Sequence, residues 1–61
     1  MGPEAKERVL EIGRREIERI SKNMRSVKRN TILIPYRRKD KPEYFGADEV
    51  NIDEALAIFE A

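Results

Sequence analysis

The sequence predicts a small α+β miniprotein in one domain over residues 1–61: a helix, a short β-hairpin or extended segment, and a short C-terminal helix. Three observations predict it. Residues 4–25 carry apolar side chains at helical spacing. Thr31-Ile32-Leu33-Ile34 is a β-branched apolar run of strand type. Residues 51–60 open on a capping residue and keep their apolar side chains on one face. Helix, strand, second strand and helix in that order belong to the α+β class. The competing expectation is a chain that stays partly disordered until it meets a partner.

Residues 4–25 read as a single amphipathic helix. Pro3 suits the first helical turn. Val9, Gly13, Ile17, Ile20, Met24 and Val27 follow at three- or four-residue steps, with Ala5, Leu10 and Ile12 beside them, and lay an apolar stripe along one side. Glu4–Arg8, Glu11–Arg15 and Glu18–Lys22 are spaced i, i+4, each worth about 0.2–0.5 kcal/mol. Gly13 sits on the stripe and costs about 1 kcal/mol against Ala. It either weakens the helix or lets another backbone approach closely.

Residues 26–30 end the helix. The run at 31–34 is followed by Pro35, which stops regular pairing or confines the strand to an edge. Tyr36 to Lys41 form a basic loop ending at Pro42. Glu43-Tyr44-Phe45 could pair back as a second short strand, closing a hairpin over 31–45, and Gly46 breaks it. Over 51–60, Asn51 is an N-cap with Glu54 three residues on, and Asp53 and Glu54 suit the positive end of the helix dipole. Ile52, Ala55, Leu56 and Phe59 share one face.

Composition narrows the function. A chain of this size buries only about 60 % of its unfolded surface and usually needs outside support. Cysteine and histidine are absent, which removes disulfides, thiolate metal sites, the commonest metal ligand and the usual general base. An oligomer or a partner is left to supply that support. No stretch approaches the roughly 20 apolar residues of a membrane span. The start Met1-Gly2-Pro3-Glu4 does not read as a signal peptide, so a cytoplasmic protein without membrane contact is expected. Charged residues make up 41 % of the chain, a bias that suits a hyperthermophile.

The net charge of +1 conceals a split. Residues 1–21 are balanced. Residues 22–41 hold eight basic side chains (Lys22, Arg25, Lys28, Arg29, Arg37, Arg38, Lys39, Lys41) against Asp40 alone. Residues 42–61 hold six carboxylates and no cation. Such blocks are often interaction segments, and these two are expected to meet in the free protein.

No catalytic constellation is visible. The hydroxyls of Ser21, Ser26 and Thr31 lack a histidine to activate them. The pairs Asp48/Glu49 and Asp53/Glu54 are adjacent, so on a helix they point about 100° apart and suit helix starts better than acid–base work. The isolated glycines build no phosphate-cradling loop. The expectation is a non-enzymatic binding protein with no cofactor and no metal.

Two binding modes compete. Nucleic acid would use the basic segment 22–41, with Tyr36, Tyr44 and Phe45 for stacking, although the six carboxylates of the tail would compete with phosphate. A protein partner would use the C-terminal helix. Burying Ile52, Leu56 and Phe59 at about 1.5–3 kcal/mol each gives roughly 5–9 kcal/mol. Ordering eight backbone residues costs about 1–2 kcal/mol apiece. This helix must therefore pack on the first helix or on a partner.

The tail resembles a degenerate form of the short motif by which replication and repair proteins bind the sliding clamp PCNA. That motif is a glutamine, an aliphatic residue three later, and two aromatics three and four further on. One register places Asp53, Leu56, Phe59 and Glu60 in those positions, the other Ile52, Ala55, Ile58 and Phe59. Neither has the glutamine or both aromatics. In outline the chain is similar to the small archaeal inhibitors of PCNA. The resemblance implies a regulator of DNA replication with a two-point grip on the clamp. Ile52, Asp53, Ala55, Leu56, Ile58 and Phe59 would form the anchor and Ile17, Ile20 and Met24 the second contact. Arg37, Arg38, Lys39 and Lys41 would steer the encounter electrostatically.

Overall fold

The computed structural model describes residues 2–60; Met1 and Ala61, the ends of the predicted 1–61 domain, lie outside the described residues. The protein is a small α+β fold of helices α1 (Pro3–Ile12) and α2 (Arg14–Ser26), strands β1 (Thr31–Arg37) and β2 (Phe45–Asn51), and helix α3 (Ile52–Ala57).

The predicted helix over 4–25 is two helices. Pro3 occupies the first turn of α1 as expected, because its missing N–H would have no partner there. The chain then breaks at Gly13, whose φ of 94° and ψ of 154° fall in a region open almost solely to glycine. Its N–H still bonds Val9 O, and its carbonyl still accepts from Ile17 N–H, each at 3.1 Å. Both polar groups of Gly13 itself are therefore satisfied at the turn. The turn lets α1 lay Ala5 and Val9, and α2 lay Ile17, on the same core. Helix α2 closes on Lys28 at φ 61°, with Arg29 N–H bonded to Met24 O and Lys28 N–H to Arg25 O, both at 2.9 Å. This is the Schellman pattern, here with lysine in the place that glycine usually takes.

The hairpin is longer than the sequence suggests. β1 pairs antiparallel with β2 from Thr31↔Asn51 to Arg37↔Phe45, with Pro35 opposite Ala47. Pro35 does not end the strand, because each strand of a two-stranded sheet is an edge and tolerates a residue without an N–H. The predicted second strand at 43–45, broken at Gly46, is instead Phe45–Asn51, with Gly46 inside it. The glycine makes room: a Cβ there would meet Cζ of the opposite Tyr36 ring at 2.6 Å.

β2 runs directly into α3. Asn51 is the N-cap, its Oδ1 accepting the Glu54 N–H at 3.1 Å. The helix is shorter than the predicted 51–60. It ends at Ala57 and is followed by a tight turn, with Phe59 N–H bonded to Leu56 O and Glu60 N–H to Ala57 O.

Among the described residues the buried apolar side chains form one cluster: Ala5, Val9, Ile17, Ile32, Ile34, Val50, Ile52 and Ala55. It lies between the helices and the hairpin face that carries Ile32, Ile34 and Val50. The opposite face is open, with Leu33 65 % and Phe45 71 % exposed.

Candidate functional site

The predicted anchor residues divide into two groups. Ile52 and Ala55 of α3, and Ile17 of α2, are core residues with at most 1 % exposure. A partner of the folded protein cannot reach them. Leu56, Ile58 and Phe59, with Ile20 and Met24 of α2, are half-buried and pack against the rim of that core. Helix periodicity explains the division. Ile52 and Ala55 face inward at a spacing of three, Leu56 lies one step round the same helix, and Phe59 belongs to the turn that follows it.

This separates the two motif registers. The register Ile52, Ala55, Ile58, Phe59 has its first two positions sealed in the core. The register Asp53, Leu56, Phe59, Glu60 stays on the accessible side. Asp53 and Glu60 are exposed, while Leu56 and Phe59 are half-buried within the tight terminal turn.

Two arginines of α2 hold this segment in place. The Arg25 guanidinium pairs with Asp53 Oδ1 at 2.8 Å. The Arg14 guanidinium donates to the Phe59 carbonyl and sits 5.9 Å above the Phe59 ring. Both contacts are exposed, and exposed pairs contribute at most about 1 kcal/mol.

The basic segment is at the other end of the hairpin. Arg37 lies 4.3 Å over the Phe45 ring, and Arg38 lies 5.8 Å over Tyr44 while its Nε donates to Asp40 at 3.0 Å. Tyr36 and Tyr44 are 6.2 Å apart, and Arg8 from α1 covers Tyr36 at 5.0 Å. The adjacent Tyr44 hydroxyl, with partial burial and the charge of Asp48, holds the Tyr36 phenol above its ordinary pKa. Between α1 and this end of the hairpin runs an open groove of about 810 Å³. Glu4, Glu7 and Glu11 line one wall, and Arg37, Arg38 and Lys39 the other.

The basic and acidic blocks meet less than expected. Among the described residues one ion pair joins them, Arg25–Asp53. Asp48 pairs instead with Arg8, which belongs to the balanced first third. Arg37, Lys39 and Lys41 have no carboxylate within ion-pair distance among the described residues. The acidic tail therefore leaves the hairpin loop electropositive.

Arg8 and Arg14 were not legible as parts of any site, because their partners lie 40 and 45 residues away. The exposed Leu33 did carry a signal, since it interrupts the alternation that a one-sided strand should show.

Among the described residues no group of three acidic side chains could hold a metal ion, and no helix is long and apolar enough to cross a membrane. No family model, no curated protein and no solved structure matches the chain.

Proposed function

We propose that the chain is a non-enzymatic protein-binding regulator that docks on a larger partner through the terminal turn Leu56–Phe59. The partner that the tail's resemblance to a clamp-binding motif suggests is the sliding clamp PCNA. The observation that carries this reading is the division of the anchor. Ile52 and Ala55 fix α3 in the core, while Leu56 and Phe59 remain partly open beside an exposed Asp53. A turn already ordered in the free protein gives up little entropy on binding. Ile20 and Met24, half-buried on the adjoining helix, are the candidates for the second contact. At the hairpin end Arg37, Lys39 and Lys41, which have no ion-pair partner among the described residues, and Arg38, which pairs with Asp40, supply electrostatic steering.

The test adds the motif's missing residues instead of deleting core ones. Asp53→Gln and Glu60→Phe change exposed side chains and leave Ile52 and Ala55 untouched. Calorimetry against an intact clamp ring should show binding by the wild type. The double variant should bind about ten-fold more tightly, as one further buried aromatic allows. No detectable binding by either protein eliminates the clamp as the partner.

A second reading, nucleic-acid binding, is favoured by one observation: the loop cations are not neutralised by the tail, and Arg38 with Tyr44 offers charge and a stacking ring together. A short single-stranded oligonucleotide should then bind at low salt, weaken steeply as salt rises, and lose affinity on Arg38→Ala/Lys39→Ala/Lys41→Ala. Absence of a complex at low salt removes this reading.

A further inference from the structure

We propose that the outer edge of β2 is a docking site for an extended, basic peptide, which adds to the hairpin as a third strand. The hydrogen-bond pattern of the ladder identifies the free groups. Ile52 N–H bonds Asn30 O at 2.8 Å, one pair beyond Thr31↔Asn51 in the same register. Bonded pairs recur at every second position of an antiparallel ladder. They are therefore Ile32↔Val50, Ile34↔Asp48 and Tyr36↔Gly46. Pro35, which has no N–H, falls at a non-bonded position. The backbone N–H and C=O of Phe45, Ala47 and Glu49 then point away from β1, and among the described residues no other backbone group bonds them. The other edge differs. On β1 the outward groups belong to Thr31, Leu33, Pro35 and Arg37, and the proline interrupts them. Proline guards an edge against pairing. β2 contains none.

Beside this edge runs an open groove of about 460 Å³, between the first turn of α1, residues Asp48, Glu49 and Val50 of β2, and Glu54 of α3. Among the described residues none from β1 lines it. An exposed sheet edge binds an extended peptide through main-chain hydrogen bonds, and the surface beside it selects alternate side chains. Charge selects the occupant here. The groove carries Glu4, Asp48, Glu49 and Glu54 against Arg8 alone, and Arg8 is already paired with Asp48. Glu4, Glu49 and Glu54 have no cation within ion-pair distance among the described residues. Glu4 also offsets the positive end of α1, so that end does not call for an anionic ligand. A second copy of β2 would add the same carboxylates to a groove whose one cation is taken. A strand bearing lysine or arginine is attracted where that copy is repelled.

Pairing along Phe45–Glu49 takes a peptide of about five residues. Every second side chain of the added strand turns to the helix side, where Glu4, Asp48 and Glu54 lie, and these are the places for its cations. The groove shares no residue with the terminal turn Leu56–Phe59, so the proposal is independent of the clamp reading.

The experiment is an amide NMR titration of the full chain with a capped peptide of alternating lysine and threonine, about six residues long, up to millimolar concentration. The amide signals of Phe45, Ala47 and Glu49 should shift, and those of Leu33 and Leu56 should not. The same peptide with glutamate in place of lysine should leave all of them unmoved. Ala47→Pro removes the central outward N–H, as Pro35 does on the facing strand, and should weaken binding about ten-fold. Glu4→Gln/Glu54→Gln replaces two exposed carboxylates of the groove and should weaken binding about five-fold, whereas Glu7→Gln, outside it, should not. Circular dichroism verifies folding, and the glutamine pair decides the matter if Ala47→Pro does not fold. No shift at Phe45, Ala47 and Glu49 with the lysine peptide overturns the proposal. So does equal binding of the glutamate peptide, or full affinity in the glutamine pair. A shift of the same amides with protein concentration alone gives the edge to a second copy and overturns it too.

Discussion

Ile17→Ala should unfold most of the protein at temperatures where the wild type is folded. Ile17 is fully buried and, with Ile32, Ile34 and Ile52, is one of the largest side chains sealed in the core. Truncating a buried isoleucine costs about 2–5 kcal/mol, the lost burial plus the cavity left behind. A 61-residue chain has about 3–9 kcal/mol of stability in total at typical values per residue. The loss therefore takes a large part of the whole. Ile20→Ala is the control on the same helix, because Ile20 is half-buried and its truncation should cost markedly less. Urea denaturation followed by circular dichroism measures both. If the two substitutions cost the same, the core is not centred where Ile17 meets the hairpin. The result also bears on binding assays, since any loss of partner affinity in Ile17→Ala would come through unfolding.

Gly13→Val should be nearly as damaging, by a different route. The backbone at Gly13 occupies a region from which a Cβ is excluded, although open space surrounds the position. The cost is conformational and not a clash with a neighbour. It is about 1–3 kcal/mol for a side chain forced into such a region, near the upper end for a β-branched one. The chain can escape by continuing the helix through residue 13. Residues 3–26 would then form a rod of about 36 Å at 1.5 Å per residue, longer than the 34 Å greatest extent of the folded protein. Ala5 and Val9 could not then return to the hairpin. The expected signature is a lower melting temperature with undiminished helical signal at 222 nm. A variant that melts like the wild type would show that the break at Gly13 is not required.

That example shows where sequence reading reaches its limit. The stripe marks the helical residues Val9, Ile17, Ile20 and Met24 and the side that packs, but Val27 at its end lies past α2 and is 60 % exposed. It cannot say whether Gly13 interrupts the helix, because that depends on whether a hairpin is present for α1 to fold back upon. The start at Pro3 and the cap at Asn51 were legible because both are local chemistry. β2 was not. Gly46-Ala47-Asp48-Glu49 has little strand propensity, and its pairing with β1 is imposed by tertiary contact, above all by Tyr36 lying over Gly46. The candidate site was half legible for a similar reason. Ile52, Ala55, Leu56 and Phe59 share one stripe, and the position of α2 decides which edge of the stripe is sealed. Leu33 breaks the alternation of β1, but only the placing of the helices on one face decides that it is the exposed member of the run.

The hairpin has a closed end and an open end. At the closed end, β1 follows α2, β2 leads into α3, and Ile52 N–H bonds Asn30 O at 2.8 Å. Every segment that completes the core leaves from there. At the open end the residues from Arg38 to Tyr44 span the strands, braced locally by Arg38–Asp40 and by Tyr44 N–H on Lys41 O. Loop-closure entropy grows only with the logarithm of length, so doubling such a loop costs about 0.6 kcal/mol. The core therefore places little constraint on this stretch. The fold tolerates a longer loop at this end, and a foreign peptide could be displayed there with the register below it intact.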